Sequence, residues 1–168
     1  MAIEEVDGGE LEDVAICNLT MRDISSAAIF LRLGNRARGP NHPPVGVLRR
    51  VTINNVIASG VNSQCGAIIS GIPGHPIEDV MLSNIQIVTR GGGTKADAER
   101  QPPEKEDAYP EPSMFGVLPA YGFYVRHIDG ITLRDVHVSC AEPDLRPALV
   151  QNDVTNAEFE DVKPPFNH

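Results

Sequence analysis

The amino-acid sequence predicts an all-β protein, a right-handed parallel β-helix of about five coils that is truncated at its N-terminal end. Three observations predict this fold. A nine-residue pattern occurs five times, a second apolar segment lies between successive copies, and no stretch carries a convincing helical stripe of apolar residues. Repeated units of this kind are typical of solenoids, in which each unit stacks on the next.

The repeated pattern is apolar-x-x-apolar-x-apolar-x-Asn/Asp-apolar. Successive copies begin 37, 29, 51 and 26 residues apart, which a coil of about 25 residues with insertions of different sizes explains. The copies are LEDVAICNL (11–19), LRRVTINNV (48–56), IEDVMLSNI (77–85), IDGITLRDV (128–136) and the weaker VTNAEFEDV (154–162).

The amide or acid in each copy predicts a ladder at a corner of the coil. Parallel strands stack about 4.8 Å apart, so one side chain reaches its equivalents above and below. Such a ladder would satisfy buried amides by repetition. A β-sandwich with asparagines in its turns is the alternative, and it explains the shared template less well. The residues concerned are Asn18, Asn55, Asn84, Asp135 and Asp161.

The segments between the copies predict a second stack of strands. They alternate with period two and are rich in Ile, Val, Leu and Phe, as strands are. They are AAIFLRL (27–33), CGAIISGI (65–72), GFYVRH (122–127) and PALVQN (147–152).

Two insertions interrupt the repeats, and insertions in a solenoid form loops that often carry function. Residues 34–47 hold Arg36, Arg38 and His42 among glycines and prolines. Residues 90–119 begin with a polar, charge-rich half that is typical of a linker. Their second half, AYPEPSMFG, has an aromatic residue, a carboxylate and apolar residues, which favours a loop packed back onto the body.

Length and composition predict one soluble globular domain, residues 1–168. The net charge of −9 argues against a nucleic-acid partner, because phosphate binding needs a basic face. No run approaches the roughly 20 apolar residues of a membrane span. The N-terminal MAIEEVDGGE is acidic where a signal peptide would be basic and then apolar, so localisation stays open.

No cofactor or metal is predicted. Cys17, Cys65 and Cys140 are an odd number without zinc spacing, and their apolar neighbours favour buried free thiols. The histidines also lack metal-ligand spacing. The RGGG run lacks the strand–loop–helix context of a nucleotide-phosphate site.

Several longer phrases carry a family resemblance: VDGGELEDVAICNLTMRD, IFLRLGNRARGP, SGIPGHPIEDVMLSNI, the RGGGT…PEKEDAYPEPSMFG…PAYGFYVRH segment and DLRPALVQNDV. Through them the chain resembles the C-terminal half of the polygalacturonase-like enzymes, glycoside hydrolase family 28 of the pectin lyase-like β-helix superfamily. The resemblance covers nearly the whole chain. It implies a secreted or periplasmic parent enzyme that cleaves galacturonate-containing polysaccharide.

The catalytic motifs of that family, Asn-Thr-Asp, Asp-Asp, Gly-His-Gly and Arg-x-Lys, are absent from this sequence. Inverting glycosidases need an acid and a base carboxylate about 6.5–9.5 Å apart. Gly74-His75 is followed by Pro76 and is interpreted as a turn, and Asn152-Asp153 lies in the wrong part of the family pattern. No catalytic residue is assigned, and the isolated chain is expected to be inactive.

Four residues are candidates for substrate binding: Arg38, Tyr109, Glu111 and Arg126. A guanidinium presents a planar fork that fits a sugar carboxylate. Tyr109 and Glu111 flank a proline in the long insertion and have no obvious core role. Arg126 follows the aromatic run of residues 121–124, and the alternative for either arginine is a solvated surface or a structural salt bridge.

Three functions are considered. The first is the C-terminal part of a pectin-acting glycoside hydrolase that contributes one side of a substrate groove. The second is a non-catalytic carbohydrate-binding or interaction module. The third, a polysaccharide lyase relative, is the weakest, because the sequence has no clustered set of calcium-binding carboxylates.

The ends of the solenoid predict a partner. The chain starts in mid-coil at Met1-Ala2-Ile3 without a capping helix before Leu11, whereas Pro164 and Pro165 break strand pairing at the other end. Exposed strand edges pair with other chains. The expectation is a homodimer through the open N-terminal coil, or pairing with a missing N-terminal half.

Overall fold

The computed structural model describes residues 1–62 and 65–166, which form a parallel β-helix. A one-turn helix α1 (Lys95–Ala98) and a 3-10 helix (Pro112–Phe115) lie between β6 and β7. The strands are β1 (Ala2–Glu5), β2 (Glu10–Arg22), β3 (Ile29–Leu33), β4 (Val47–Val61), β5 (Ala67–Ser70), β6 (Ile77–Thr89), β7 (Phe123–Cys140) and β8 (Leu149–Lys163).

The strands stack in two parallel columns that make five coils. The short strands β1, β3 and β5 pair in order and continue onto the first residues of β7 and then β8. The long strands β2, β4 and β6 pair in the same way and continue onto the remainder of β7 and β8. Every pairing between these eight strands is parallel, so the predicted parallel β-helix is confirmed.

The five copies of the repeated pattern lie in register on the long strands. Leu11 pairs with Leu48, Ile77 with Ile128, and Ile128 with Val154. The apolar positions of the pattern point inward and make one continuous core, in which the side chains of the three middle coils are almost fully buried. A slip of one residue between coils would turn every inward side chain outward, so the pattern fixes the register.

The Asn/Asp position of the pattern is a corner with a left-handed backbone. Its φ angle lies between +51° and +62° in all five copies. Asparagine and aspartate adopt this conformation more readily than other residues with a Cβ. A second left-handed position lies five residues earlier, and one copy has Gly130 there. These corners bend the strand without ending it.

The amide ladder exists, but the prediction that it is buried is wrong. Asn55 Nδ2 donates to Asn18 Oδ1 at 2.7 Å, and Asn84 Nδ2 donates to Asn55 Oδ1 at 3.0 Å. All three side chains are exposed. The main reason for asparagine at this position is therefore the left-handed backbone of the corner. The ladder adds a hydrogen bond on the outer surface.

The second insertion covers the outer face of the short-strand column. Phe30, Ile68 and Tyr124 point outward from that column and pack with Phe115 and Leu118 of the insertion in a second apolar cluster. The predicted packing of its second half onto the body is thus present. Its polar first half is also ordered: it contains α1, and Thr94 and Asp97 close a capping box there.

The two ends of the β-helix differ. Phe166 is 7% exposed and packs on Phe123 and Phe159, with ring centroids 6.1 and 5.7 Å apart, so it covers the last coil. In the first coil the inward side chains of Val14 and Ile16 are only partly buried. No helix in the described part of the chain is long and apolar enough to cross a membrane.

The three cysteines are free thiols in three different environments. Cys65 is fully buried, and burial raises its pKa to about 12. Cys140 is partly buried, whereas Cys17 is exposed. The prediction of a buried thiol is wrong for Cys17, because it occupies an outward position of β2.

The corner requirement can be separated from the ladder bond at Asn55. Both Asn55→Ala and Asn55→Gly remove the ladder bonds, but only alanine must be forced into the left-handed region. We expect the free energy of unfolding of Asn55→Ala to fall about 1 kcal/mol further than that of Asn55→Gly in urea titrations.

The matched control is the neighbouring Asn54, an exposed strand residue that donates to Ser83 Oγ at 2.7 Å. Its backbone is not left-handed. At Asn54 the order of the two variants should reverse: the free energy of unfolding of Asn54→Gly should be about 0.5–1 kcal/mol lower than that of Asn54→Ala. The same order at both positions would contradict the role of the corner.

Candidate functional site

The two insertions meet beside β1, and we name this place the insertion junction, made of Asp7, Arg36, Arg38 and Tyr109. The backbone N–H of Asn35 donates to the carbonyl of Glu106 at 2.6 Å, which fastens one insertion to the other. The junction therefore brings together residues that lie about 100 positions apart in the sequence.

Asp7 organises the insertion junction. Its carboxylate accepts hydrogen bonds from Arg36 Nε at 3.1 Å, from the Arg36 terminal nitrogen and from the backbone N–H of Arg38 at 2.9 Å. The side-chain bonds of Arg36, followed by the Arg38 backbone bond, lower the pKa of Asp7 to about 2. Asp7 thus stays ionised at neutral pH and fixes the path of residues 36–38.

Tyr109 and Arg38 are the groups that the junction leaves open to solvent. Tyr109 is 65% exposed, and the guanidinium carbon of Arg36 lies 5.7 Å from its ring centroid, a cation–π contact. Arg38 is exposed, and its guanidinium has no ion pair or hydrogen bond with any residue of 1–62 or 65–166. The junction therefore presents one cation without a hydrogen-bonded partner and one exposed aromatic ring.

The other two predicted site residues lie elsewhere. Glu111 is exposed and directly precedes the 3-10 helix. Arg126 is 2% exposed and donates to the carbonyls of Pro102 and Pro103, each at 2.9 Å. A sugar could contact this guanidinium only if the insertion moved away. Substrate binding by the four residues stays a prediction.

Three residues, Arg32, Phe115 and Arg126, fasten the second insertion to the body, and we name them the clamp. The clamp was not predicted from the sequence. The ring of Phe115 lies between two buried arginines, with the guanidinium carbons of Arg32 and Arg126 each 5.4 Å from its centroid. Arg32 also donates to the carbonyls of Glu104 and Lys105 at 2.9 and 3.0 Å. Burial, together with the like charge of Arg126, lowers the pKa of Arg32 to about 10. The signal was an arginine inside two of the four apolar strand segments, since a buried arginine needs partners.

A histidine flanked by two carboxylates lies next to this clamp. His127 Nδ1 lies 2.6 Å from an oxygen of Asp153, and Nε2 lies 3.1 Å from an oxygen of Glu104. An imidazole can donate from both nitrogens only when both carry a proton. The ring fills the space between the carboxylates, where a glycosidase would hold a sugar and a water. This cluster therefore links the insertion to the last coil.

A long groove runs over the outer face of the long-strand column, with a volume of about 600 Å³. Its charged lining residues are Asp13, Asp79, Glu158 and Arg50. Arg50 is already paired with Asp13 at 2.6 Å. The groove is therefore negatively charged overall, and it disfavours an anionic sugar.

Within the described residues, no group of three or more His, Cys, Asp or Glu side chains is placed to hold a metal ion. Comparisons of the chain with protein-family models, with curated proteins and with solved structures find no match. The resemblance to polygalacturonase-like enzymes therefore stays a prediction.

The pKa of Asp7 provides a test of the junction geometry. A carboxyl whose pKa falls from the ordinary 3.8 to about 2 on folding stabilises the folded state above pH 3.8. That contribution disappears as the pH falls towards 2. We expect the Asp7 carboxyl carbon to titrate near pH 2 by NMR, and Arg36→Gln to move its midpoint towards 3.8.

The control variant is Arg134→Gln, which removes an exposed arginine paired with Glu160 on the long-strand face. It should leave the Asp7 midpoint unchanged. An Asp7 midpoint that is the same with and without Arg36 would show that this hydrogen-bonded pair does not form in solution.

Proposed function

We propose that the chain acts as the C-terminal, substrate-binding part of a polygalacturonase-like glycoside hydrolase and binds pectin-type acidic polysaccharide at the insertion junction. The observation that carries this proposal is the exposed Arg38, whose guanidinium has no hydrogen bond or ion pair within residues 1–62 and 65–166, in the junction that also exposes the ring of Tyr109. The sequence resemblance supports the choice of sugar, because galacturonate carries one carboxylate on each ring.

The chemistry of the junction suits such a ligand. A guanidinium binds a carboxylate through two parallel hydrogen bonds, and Arg38 is free to do so. Tyr109 offers an apolar face for the C–H groups of a sugar ring. The Asp7–Arg36 pair is already satisfied, so it holds the loop in position without competing for the ligand.

The net charge of −9 limits where a polyanion can approach the protein. The long-strand groove is the larger cavity, but its carboxylates outnumber its single paired arginine. The insertion junction is the smaller surface with the more favourable charge. We therefore assign the acidic sugar to the junction.

The proposed role excludes hydrolysis by this chain alone. The four catalytic motifs of the family are absent from its 168 residues. The carboxylates of Glu104 and Asp153 are bridged by His127. The alternative function, a non-catalytic carbohydrate-binding or interaction module, makes use of the same surface.

Binding of a short galacturonate oligomer tests the proposal. Isothermal titration calorimetry with trigalacturonate at low salt should give saturable binding that weakens as salt is added. Arg38→Gln should cost about 1 kcal/mol, roughly fivefold in Kd, because the ion pair is exposed. Tyr109→Ala should weaken binding similarly, by about 1 kcal/mol.

The matched control is Arg22→Gln, which removes an exposed arginine of β2 outside both insertions. It should leave the affinity unchanged, and no sample should release reducing sugar. Equal losses in Arg22→Gln and Arg38→Gln would mean that only net charge matters, and the proposal would then fail.

The open first coil supports a second proposal, a homodimer in which two copies cover each other there. Inward side chains of this coil such as Val14 and Ile16 are partly exposed, whereas their counterparts Val51 and Ile53 are 0% exposed. In a two-fold dimer the facing strands would be antiparallel. The two left-handed corners of β2, Asp13 and Asn18, have four residues between them. If two antiparallel copies of β2 paired with their corners aligned, each inward residue would lie opposite an outward one. Side-chain packing rather than continuous strand pairing would therefore hold the dimer.

Light scattering at micromolar concentration tests the dimer. The unaltered protein should have the mass of two chains, and Ile16→Lys should give single chains because it places a charge in the apolar contact. Thr20→Lys, on an outward position of the same strand, should leave the dimer intact. A monomeric unaltered protein would contradict the proposal.

A further inference from the structure

A second, smaller cavity lies on the outer face of the short-strand column, at the two last coils. Its volume is about 210 Å³. We name it the amide cavity, and its polar lining residues are Arg100, Gln101, Tyr124, Gln151 and Asn152. Residues 98–102 of the long insertion form one wall and the start of β8 forms another, so both the repeat and the insertion build it.

Tyr124 is the most deeply buried of the polar residues that line the cavity. The residue is 1% exposed, and its hydroxyl has no hydrogen bond with any of the residues that the structure describes. Burial raises the pKa of this hydroxyl, so it stays protonated and can donate. A ligand in the cavity can therefore accept a hydrogen bond from this hydroxyl.

The remaining polar groups define the chemistry of that ligand. The amides of Gln101, Gln151 and Asn152 have no side-chain hydrogen bond within residues 1–62 and 65–166. Each amide both donates and accepts. Arg100 is already paired with Asp97 at 2.9 Å, so the cavity has no uncompensated cation of its own. Groups of this kind match a ligand with several hydroxyls and no charge.

We propose that the amide cavity binds a single neutral sugar ring. Pro102, Pro119 and Val150 supply apolar walls for the C–H faces of the ring. A volume of about 210 Å³ lies below the roughly 300–1,000 Å³ of pockets for drug-sized molecules, so one ring rather than a longer chain fits inside. This site is separate from the insertion junction and goes beyond the acidic-sugar function, because its chemistry selects an uncharged ligand.

NMR titration of the isotope-labelled chain tests the site directly. The probes are methyl glucoside and methyl galactoside, with galacturonate as the charged comparison. The side-chain amide signals of Gln101, Gln151 and Asn152 should shift in a saturable way with one of the neutral sugars. A Kd of about 1–10 mM is expected for a ligand of this size.

Tyr124→Phe supplies the sharpest variant. The hydroxyl has no protein partner, so its removal should leave the melting temperature unchanged while it weakens sugar binding about 2- to 10-fold. The matched control is Tyr121→Phe, which removes a tyrosine hydroxyl outside the amide cavity and should leave the affinity unchanged.

Three outcomes would overturn the inference: no saturable shift with either neutral sugar, equal affinity in Tyr124→Phe and the unaltered protein, or tighter binding of galacturonate than of the neutral sugars. Arg38→Gln should leave neutral-sugar binding unchanged. Failure at the amide cavity is therefore distinguishable from failure at the insertion junction.

Discussion

In-register parallel stacking of the five coils is the constraint on which the rest of this structure depends. Each coil buries its inward side chains only if the coils beside it present theirs at the same positions. The left-handed corners ensure this, because they occur at the same two positions of all five copies. Every coil therefore bends at the same points, and the insertions can differ in length without disturbing the core.

The clamp around Phe115 makes the long insertion part of the body. Arg32 and Arg126 donate to insertion carbonyls that would otherwise face a buried surface without partners. Arg126 Nε is a buried nitrogen without a hydrogen bond in the described part of the chain. Its guanidinium lies 5.5 Å from the ring of Tyr124 and 5.4 Å from that of Phe115. Both rings contribute cation–π attraction to the buried charge.

The sequence predicts the repeat fold well, because period-two alternation and a shared template are local signals. The same signals put Tyr124 and Arg126 on one face of their strand, and the structure has both on the outer face. What covers that face was not predictable, because it depends on the path of an insertion from outside the repeat. The burial of the ladder amides was predicted wrongly for a different reason. A repeated asparagine fits a buried hydrogen-bond ladder and an exposed left-handed corner equally well, and only the backbone angle distinguishes them.

The stacking register also determines where unpaired charge can occur. On the long-strand face, Arg49 pairs with Glu12, Arg50 with Asp13, and Arg134 with Glu160, each pair at equivalent positions of adjacent coils. A solenoid face can therefore neutralise its own arginines through residues that repeat above and below them. An insertion residue has no equivalent in the next coil, so nothing in the repeat supplies its counter-ion. Arg36, in the first insertion, pairs instead with Asp7, which lies outside the repeated pattern. Insertion arginines depend on such local partners, as Arg100 does on Asp97 within the second insertion.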